Sequence, residues 1–184
     1  MKKVSTIVQL LQQRKIIAIP TESIYGISCI IEPDLISKII TIKKRNIAKG
    51  FIVVSGKINH LLSFVDTNKL TTLQIKKIVI NYDNARTWIV PVRKKVPWLT
   101  GKFSNIAIRL SHHPLIKNIT AKLDRAIIST SANISGKPPA TTAQEVKYYF
   151  KTQLDYIHPN PQRMTFHGKP SQIIDLVNRI VLRA

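Results

Sequence analysis

Short apolar runs of strand length alternate along this chain with segments whose apolar residues recur at helical spacing. A helical pattern over residues 5–14 precedes an apolar run at 16–20, and a second helical pattern over 33–44 precedes a run at 51–54. Alternation of this kind is typical of an α/β domain built around a twisted sheet, and it argues against a helical bundle or a β-sandwich. We therefore predict an α/β fold.

The same two periodicities predict the remaining elements. Helices are predicted over residues 68–80, 114–123 and 142–151, and strands over 87–92, 106–110, 126–129, 173–177 and 180–182. Ser5 is the predicted N-cap of the first helix, and Thr141 or Thr142 that of the last. Strand order cannot be read from these patterns. The two longest irregular stretches, 93–104 and 159–170, have the length of lids or binding loops.

Length and composition limit the protein to one compact domain. A chain of 184 residues with 44% hydrophobic content can bury one substantial core but is short for two full domains. Its longest apolar runs are too short to cross a bilayer, so we expect a cytoplasmic protein without a membrane partner. The single cysteine, Cys29, lies among isoleucines, which predicts a buried and unreactive thiol.

The net charge of +20 allows two interpretations. It would attract nucleic acid or nucleotides. However, lysine supplies 20 of the 29 cations, and the chain also has 30 isoleucines and 10 asparagines, a joint excess that A/T-rich codons would produce. The 12 aromatic residues are scattered, without the interleaving with arginine that RNA-binding surfaces favour. The charge thus indicates either RNA binding or codon bias.

Two polar segments follow predicted strands. Residues 129–136 hold four hydroxyls and the Asn133 amide, which can bind a polyanion or a polar ligand at the end of a strand. Residues 20–26 place Thr21 and Tyr25 after the first strand, where they could hydrogen-bond a small polar substrate. Both segments are also compatible with ordinary turns, since Ser, Asn, Thr and Gly are common there.

Cations gather where the second helix meets the third predicted strand. Lys43 and Arg45 can converge on one phosphate chain if the helix ends between them, and Lys49 follows closely. The competing interpretation is a solvated helix C-terminus, where the macrodipole favours cations.

Arg109 lies in a predicted strand whose alternation places Asn105 and Ala107 on the same face. It could clamp a carboxylate there, or be a solvated edge residue.

The chain has no phosphate-loop, dinucleotide-binding or nucleophile-elbow motif. One cysteine and nine scattered carboxylates argue against a zinc site, so we expect no metal held by the protein and no organic cofactor. Mg²⁺ is expected to arrive on phosphates.

Taken in order, the motifs of this chain resemble those of the YrdC/Sua5 family. They are Pro-Thr-Glu-Ser-x-Tyr-Gly at 20–26, Lys-x-Arg at 43–45, Ile-Ala-Ile-Arg at 106–109, Ser-Thr-Ser-Ala-Asn-x-Ser-Gly at 129–136 and Pro-Ser-Gln-Ile-Ile-Asp at 170–175. The chain departs from the family pattern at 46–48 and 83–87, at Ser28 and at Pro139. Its length is similar to that of the short form of the family, which implies one domain over 1–184 without the additional C-terminal domain.

The resemblance implies a twisted, mostly mixed sheet flanked by helices around a basic concave cavity. It also implies a nucleotidyltransferase that forms threonylcarbamoyl-AMP and pyrophosphate from L-threonine, bicarbonate or CO₂, and ATP, for the t⁶A modification of tRNA. By position, the catalytic residues would be Lys43, Arg45, Ser131 and Asn133, which with Lys49 and Asn105 would also bind ATP. Thr21, Tyr25, Arg109 and Ser129 would hold threonine. The tRNA and the other proteins of t⁶A synthesis are candidate partners.

Two other functions stay open from the sequence alone. One is an RNA-binding or ribosome-maturation factor that uses the basic cavity. The other is a structural remnant that has lost catalysis.

Overall fold

A computed structural model describes residues 2–159 and 170–184. The helices of this part of the chain are α1 (Lys2–Gln12), α2 (Pro33–Lys43), α3 (Ile58–Leu62), α4 (Thr72–Val79), α5 (Pro97–Thr100), α6 (Pro114–Leu123) and α7 (Ala143–Phe150), with 3-10 turns at Ile47–Lys49 and Thr67–Lys69. Its strands are β1 (Ile17–Pro20), β2 (Tyr25–Ile30), β3 (Ile52–Ser55), β4 (Arg86–Pro91), β5 (Asn105–Leu110), β6 (Ile127–Ser131), β7 (Tyr156–Ile157), β8 (Gln172–Asp175) and β9 (Ile180–Arg183). No helix of the described residues is both long and apolar enough to span a bilayer.

The strands form one mixed sheet in the order β7-β1-β2-β6-β3-β5-β4-β8-β9. The pairs β1/β7, β3/β5 and β4/β8 are parallel, and the other neighbours are antiparallel. The predicted α/β class and mixed sheet are therefore confirmed.

Most predicted elements are present, and the differences have physical causes. The first helix begins at Lys2, so Ser5 lies inside it and its prediction as an N-cap was wrong. The third predicted helix is shorter than expected, because Thr71 forms a capping box with Gln74 and the helix begins at Thr72. Thr142 caps α7 in the same way, as predicted. A short helix, α5, interrupts the predicted loop 93–104, and residues 160–169 of the other predicted loop lie outside the described residues.

Strand β2 was not predicted. It is buried on both faces, so its sequence lacks the alternation of polar and apolar residues that identifies a half-exposed strand. It forms a hairpin with β1, and Pro20 lies opposite Tyr25 at the turn. This hairpin places Thr21 beside the end of β6, since β2 also pairs with β6.

The alternation of β5 separates the apolar core from the functional face of the sheet. Ile106 and Ile108 are almost fully buried in the core. Asn105, Ala107 and Arg109 line a cavity on the opposite face, as their spacing predicted.

A close backbone contact joins the 3-10 turn Ile47–Lys49 to α5. Gly101 has φ +64°, and a Cβ there would lie 2.4 Å from the Ala48 carbonyl oxygen and 2.6 Å from the Gly50 nitrogen. We expect Gly101→Ala to lower the free energy of unfolding by about 2–4 kcal/mol, because the clash is with backbone that cannot rotate away.

Gly136→Ala is the matched control for Gly101→Ala. Gly136 also has a positive φ, +83°, but its Cβ would meet nothing within 4 Å. Gly136→Ala should therefore lower the free energy of unfolding by only about 1 kcal/mol, which is the cost of a positive φ for a residue with a Cβ. Urea denaturation of both variants measures the difference, and equal losses would show that the contact with Ala48 is unimportant.

Candidate active site

The functional face of the sheet carries a cavity of about 390 Å³, within the range of small-molecule sites. Its floor is a row of side chains that the strand registers align across β6, β3, β5, β4 and β8, namely Ser129, Ile52, Ala107, Ile89 and Asp175. Its walls come from the β1–β2 turn, the 3-10 turn after α2, and α5.

Eight of the ten residues predicted for the site line this one cavity. They are Thr21, Tyr25, Arg45, Lys49, Asn105, Arg109, Ser129 and Ser131. The other two, Lys43 and Asn133, do not line it. They lie directly behind Ser131 and are connected to it by hydrogen bonds. Predicted contacts between each of these residues and a substrate stay predictions.

Lys43 is buried, although it was predicted to contact phosphate. Helix α2 ends between Lys43 and Arg45, because Lys44 adopts the left-handed conformation with φ 49°. Lys43 then points into the protein, where its Nζ donates to the carbonyl oxygens of Ser131 and Asn133 and to Asn133 Oδ1, the latter two at 2.7 and 3.2 Å. Burial and the nearby Arg45 lower the pKa of Lys43 to about 7. In this structure Lys43 therefore organises the segment that follows β6.

Asn133 completes that arrangement. Its Oδ1 accepts from Ser131 Oγ at 2.7 Å, and its Nδ2 donates to the Lys137 carbonyl at 2.6 Å. The backbone N–H of Ser135 donates to the Lys43 carbonyl at 2.9 Å. These bonds fix the end of β6 against the end of α2 and hold Ser131 at the cavity.

Arg45 and Lys49 bring positive charge to the cavity from the segment after α2. Arg45 Nη2 donates to the Gly50 carbonyl at 2.7 Å, and its guanidinium lies 5.1 Å from the centre of the Phe51 ring. Its buried Nε has no hydrogen-bond partner in the described part of the protein. Lys49 is exposed and lines the cavity. A planar cation on an aromatic ring suits recognition of an anion such as phosphate.

Arg109 is the buried cation of the cavity floor, with 7% of its surface exposed. Its Nη1 lies 3.7 Å from Glu22 Oε2, and its Nε has no hydrogen-bond partner among the described residues. Burial opposes ionisation of Glu22, but Arg109 and a hydrogen bond from Ser111 outweigh it and lower the pKa of that carboxyl. Arg109 thus has a fixed position and an unused donor.

Three residues at the end of the β1–β2–β6 unit approach one another closely. Thr21 and Ser129 are both 2% exposed, and a Cβ on Gly26 would lie 2.4 Å from Ser129 Oγ and 3.1 Å from Thr21 Cγ2. Glycine at position 26 therefore allows the two hydroxyl residues to face the same space. The Thr21 hydroxyl donates to the Ile24 carbonyl at 2.8 Å, so it can act only as an acceptor toward a ligand.

Tyr25 lines the cavity, but its hydroxyl donates to the His158 carbonyl at 2.8 Å. The phenol hydrogen of Tyr25 is thus used in a hydrogen bond within the protein, so toward a ligand the hydroxyl can act only as an acceptor. Tyr25 stays a predicted contact for threonine.

Some residues of the site were not among the predicted ones. Glu22 holds Arg109, and the cavity is also lined by Ser171, which directly precedes β8, and by Arg183 at the end of β9. Arg183 donates to the Ser171 carbonyl through Nε and Nη2 at 3.0 and 2.7 Å. Burial and the charge of Arg109 lower the pKa of Arg183. Glu22 and Ser171 belong to motifs visible in the sequence, but nothing in the sequence showed that the last strand, with Arg183, would reach the same cavity.

Comparison with known proteins gives the family of this chain. The family model Sua5/YciO/YrdC, described as "Telomere recombination", matches residues 9–184. The threonylcarbamoyl-AMP synthase of Actinobacillus succinogenes is 36% identical over 180 residues, which cover 96% of each chain.

Solved structures share the fold. E. coli YciO superposes with a TM-score of 0.81 at 22% identity, covering 99% of this chain and 88% of that one. P. abyssi Sua5, solved in complex with L-threonine, superposes with a TM-score of 0.83 at 21% identity. That match covers 95% of this chain and 51% of the Sua5 chain. The family match over nearly the whole chain, the identity with a full-length relative and the common fold lead to one conclusion: this chain belongs to the Sua5/YciO/YrdC family.

Proposed function

We propose that this protein synthesises threonylcarbamoyl-AMP from L-threonine, bicarbonate or CO₂, and ATP, with release of pyrophosphate. The observation that carries the proposal is the single cavity lined by eight of the predicted substrate-binding residues. The relative from A. succinogenes, which bears the name of this activity, supports it over nearly the full length of both chains. The product serves the t⁶A modification of tRNA.

The reaction requires two anions to meet. Threonine's amine and bicarbonate give a carbamate and water. A carbamate oxygen then forms a bond to the α-phosphorus of ATP, as the bond from that phosphorus to the departing pyrophosphate breaks. Of the described residues, the cavity is lined by four cations and one carboxylate, so its charge offsets the repulsion between carbamate and triphosphate. Because an adenylyl group is transferred, we assign the enzyme to the nucleotidyltransferases.

The positions of the cations divide the cavity into two parts. Arg45 and Lys49 line the cavity near α5, and we assign them, together with Ser131 and Asn105, to the triphosphate. Arg109 lies with Thr21 and Ser129, and its unused Nε donor suits the carboxylate of threonine. Lys43 and Asn133 act on ATP through Ser131 in this assignment. Positioning and charge stabilisation can carry the step without a protein nucleophile.

Magnesium is assigned to ATP and not to a protein site. No group of three or more His, Cys, Asp or Glu among the described residues could hold a metal. The cavity carboxylate, Asp175, already accepts hydrogen bonds from the backbone of Val177 and Asn178. Bound through phosphate oxygens, Mg²⁺ would neutralise part of their charge.

Pyrophosphate release tests the proposal. Purified protein with ATP and Mg²⁺ should form pyrophosphate only when both L-threonine and bicarbonate are present, and mass spectrometry should detect threonylcarbamoyl-AMP. Omission of either substrate, or alanine in place of threonine, is the control. Pyrophosphate formation that does not depend on both would contradict the proposal.

The alternative function, an RNA-binding or ribosome-maturation factor, is not favoured, because the relative from A. succinogenes is named as a threonylcarbamoyl-AMP synthase. It predicts tight, salt-sensitive tRNA binding that survives Arg45→Ala, in a protein without synthase activity. tRNA and other proteins of t⁶A synthesis stay proposed partners.

A further inference from the structure

A second cavity, of about 670 Å³, lies beside the first and shares Pro170 and Ser171 with it. Glu22 lies between the two cavities, since it holds Arg109 of the first and lines the second. The polar and aromatic groups of the second cavity come mainly from residues 81–88 and from His112 and His113. None of them has a role in the synthase reaction proposed above.

Arg86 presents a flat cation to the second cavity. Its guanidinium carbon lies 3.6 Å from the centre of the Tyr82 ring, which covers one face of the group. Trp88 supports Tyr82 from the side, with 6.0 Å between the ring centres. Within residues 2–159 and 170–184, Arg86 has no ion pair, and its buried Nε has no hydrogen-bond partner. The guanidinium carbon also lies 6.0 Å from the centre of the Trp88 ring, so Arg86 belongs to an aromatic cluster at the cavity wall. Because Tyr82 stacks on one face of the guanidinium and Arg86 lines the cavity, a planar ligand could stack on the other face.

Two more buried polar atoms at the wall of the same cavity, His113 Nδ1 and Glu22 Oε2, make no hydrogen bond in the described part of the chain. Glu22 Oε2 lies 3.7 Å from Arg109 Nη1, so of the two only His113 Nδ1 has neither a hydrogen bond nor an ion pair among the described residues. Burial lowers the pKa of His113, so the imidazole is neutral at pH 7 and offers one donor and one acceptor. Buried polar atoms without partners are uncommon in folded proteins and often mark where a ligand or water binds.

The charge of the lining decides the class of ligand. Arg86 is its one permanent cation among the described residues, against the carboxylates of Glu22 and Asp83. This balance disfavours a free phosphate or a carboxylate. It suits an aromatic heterocycle that stacks on Arg86 and donates amino hydrogens to a carboxylate.

We propose that the second cavity binds a nucleobase with an exocyclic amino group, stacked on Arg86 and hydrogen-bonded by Glu22 and His113. The volume of the cavity is sufficient for a nucleoside. A free nucleoside and an unpaired base of an RNA strand present the same chemistry. The proposal does not require the synthase activity, because Arg86 and His113 do not line the first cavity, although Glu22 contacts Arg109 there.

The test compares bases, sources and variants. Isothermal titration calorimetry measures the binding of adenosine and uridine to the protein. Fluorescence anisotropy measures the binding of oligo(A) and oligo(U), each about nine nucleotides long, at about 50 and about 200 mM salt. Adenosine and oligo(A) should bind more tightly than uridine and oligo(U), because uracil lacks the amino group. Arg86→Gln should weaken binding of adenosine and oligo(A) by about 10- to 100-fold, the range of one lost stacking contact.

Arg125→Gln is the matched control, since it removes the same charge from an exposed position outside both cavities. Its affinities should stay within about twofold of those of the wild type. If oligo(A) binds much more tightly than adenosine and its affinity falls steeply with salt, the ligand is a base of RNA. If adenosine and oligo(A) bind with equal affinity and neither affinity depends on salt, the ligand is a free nucleoside.

Two outcomes would overturn the proposal. One is adenosine binding that is unchanged by Arg86→Gln but lost in Arg45→Ala, which would place the base in the first cavity. The other is equal binding of adenosine and uridine. If Arg86→Gln does not fold, as judged by circular dichroism, Arg86→Lys replaces it. Lysine keeps the positive charge but lacks the planar guanidinium, so affinity for adenosine and oligo(A) should fall by the same factor. Failure of the pyrophosphate assay would leave these binding results unaffected.

Discussion

Lys43→Met is expected to lower the rate of pyrophosphate formation by about 100-fold or more and the free energy of unfolding by about 2–4 kcal/mol. Methionine keeps much of the length of the side chain but removes all three hydrogen bonds to Ser131 and Asn133. The loss of these three bonds, which leaves the part-buried Asn133 carbonyl without a donor among the described residues, accounts for the loss of stability. Displacement of Ser131 from the cavity accounts for the loss of rate, since misplacement by about 1 Å can cost about 100-fold.

Lys44→Met provides the matched control for Lys43→Met. Lys44 is the next residue, is exposed, and has the same side chain. Its replacement should change stability by less than about 0.5 kcal/mol and the rate by less than about threefold. Pyrophosphate assays and urea denaturation of both variants give the comparison. Equal effects of the two substitutions would show that Lys43 contributes only its charge.

The stability difference between wild type and Lys43→Met should also depend on pH. The pKa of Lys43 is lowered from 10.5 in the unfolded chain to about 7 in the folded protein. Between these values the unfolded state binds more protons, so the wild type gains stability relative to the variant as pH rises. The gain is at most about 1.4 kcal/mol per pH unit. A difference that stays constant from pH 6 to 10 would contradict the lowered pKa.

Alternation of polar and apolar residues predicted one strand closely, and a strand without that alternation was missed, although β1, which is equally buried, was found as a short apolar run. Strand β5 was predicted within one residue, and the common face of Asn105 and Arg109 was predicted correctly, because Ile106 and Ile108 alternate with them. Strand β2 was missed because both of its faces are buried. Its partner β6 is far away in the chain, and long-range pairing leaves no local pattern.

For the site, the motifs identified the residues but not the directions of their side chains. Lys43 and Arg45 are two positions apart, which suggested a common phosphate. The left-handed Lys44 between them sends one inward and the other to the cavity. Arg183 was missed for another reason. It reaches the cavity only because β8 pairs in parallel with β4 and then turns back into β9, an arrangement fixed by sheet topology.

Arg109→Lys is expected to raise KM for L-threonine by about 10- to 100-fold while kcat at saturating threonine changes by less than about threefold. The substitution keeps a positive charge near Glu22, so the fold should survive. It removes the planar group and with it the free Nε donor, so a carboxylate would lose a two-point contact. Such a charge-assisted contact contributes about 1.5–3 kcal/mol, which corresponds to the expected change in KM.

The value of KM for ATP separates this effect from a general disturbance of the cavity. It should change little in Arg109→Lys, because Arg45 and Lys49 approach the cavity from the other side of its floor, on the segment after α2. Arg125→Lys, at an exposed position, is the control and should leave both KM values unchanged. If instead KM for ATP rises as much as KM for threonine, Arg109 belongs to the nucleotide part of the cavity, and the division of the two substrates proposed above is wrong. A fall in kcat with both KM values unchanged would place Arg109 on the transition state, where its charge would stabilise the pentacoordinate phosphorus and not the carboxylate of threonine.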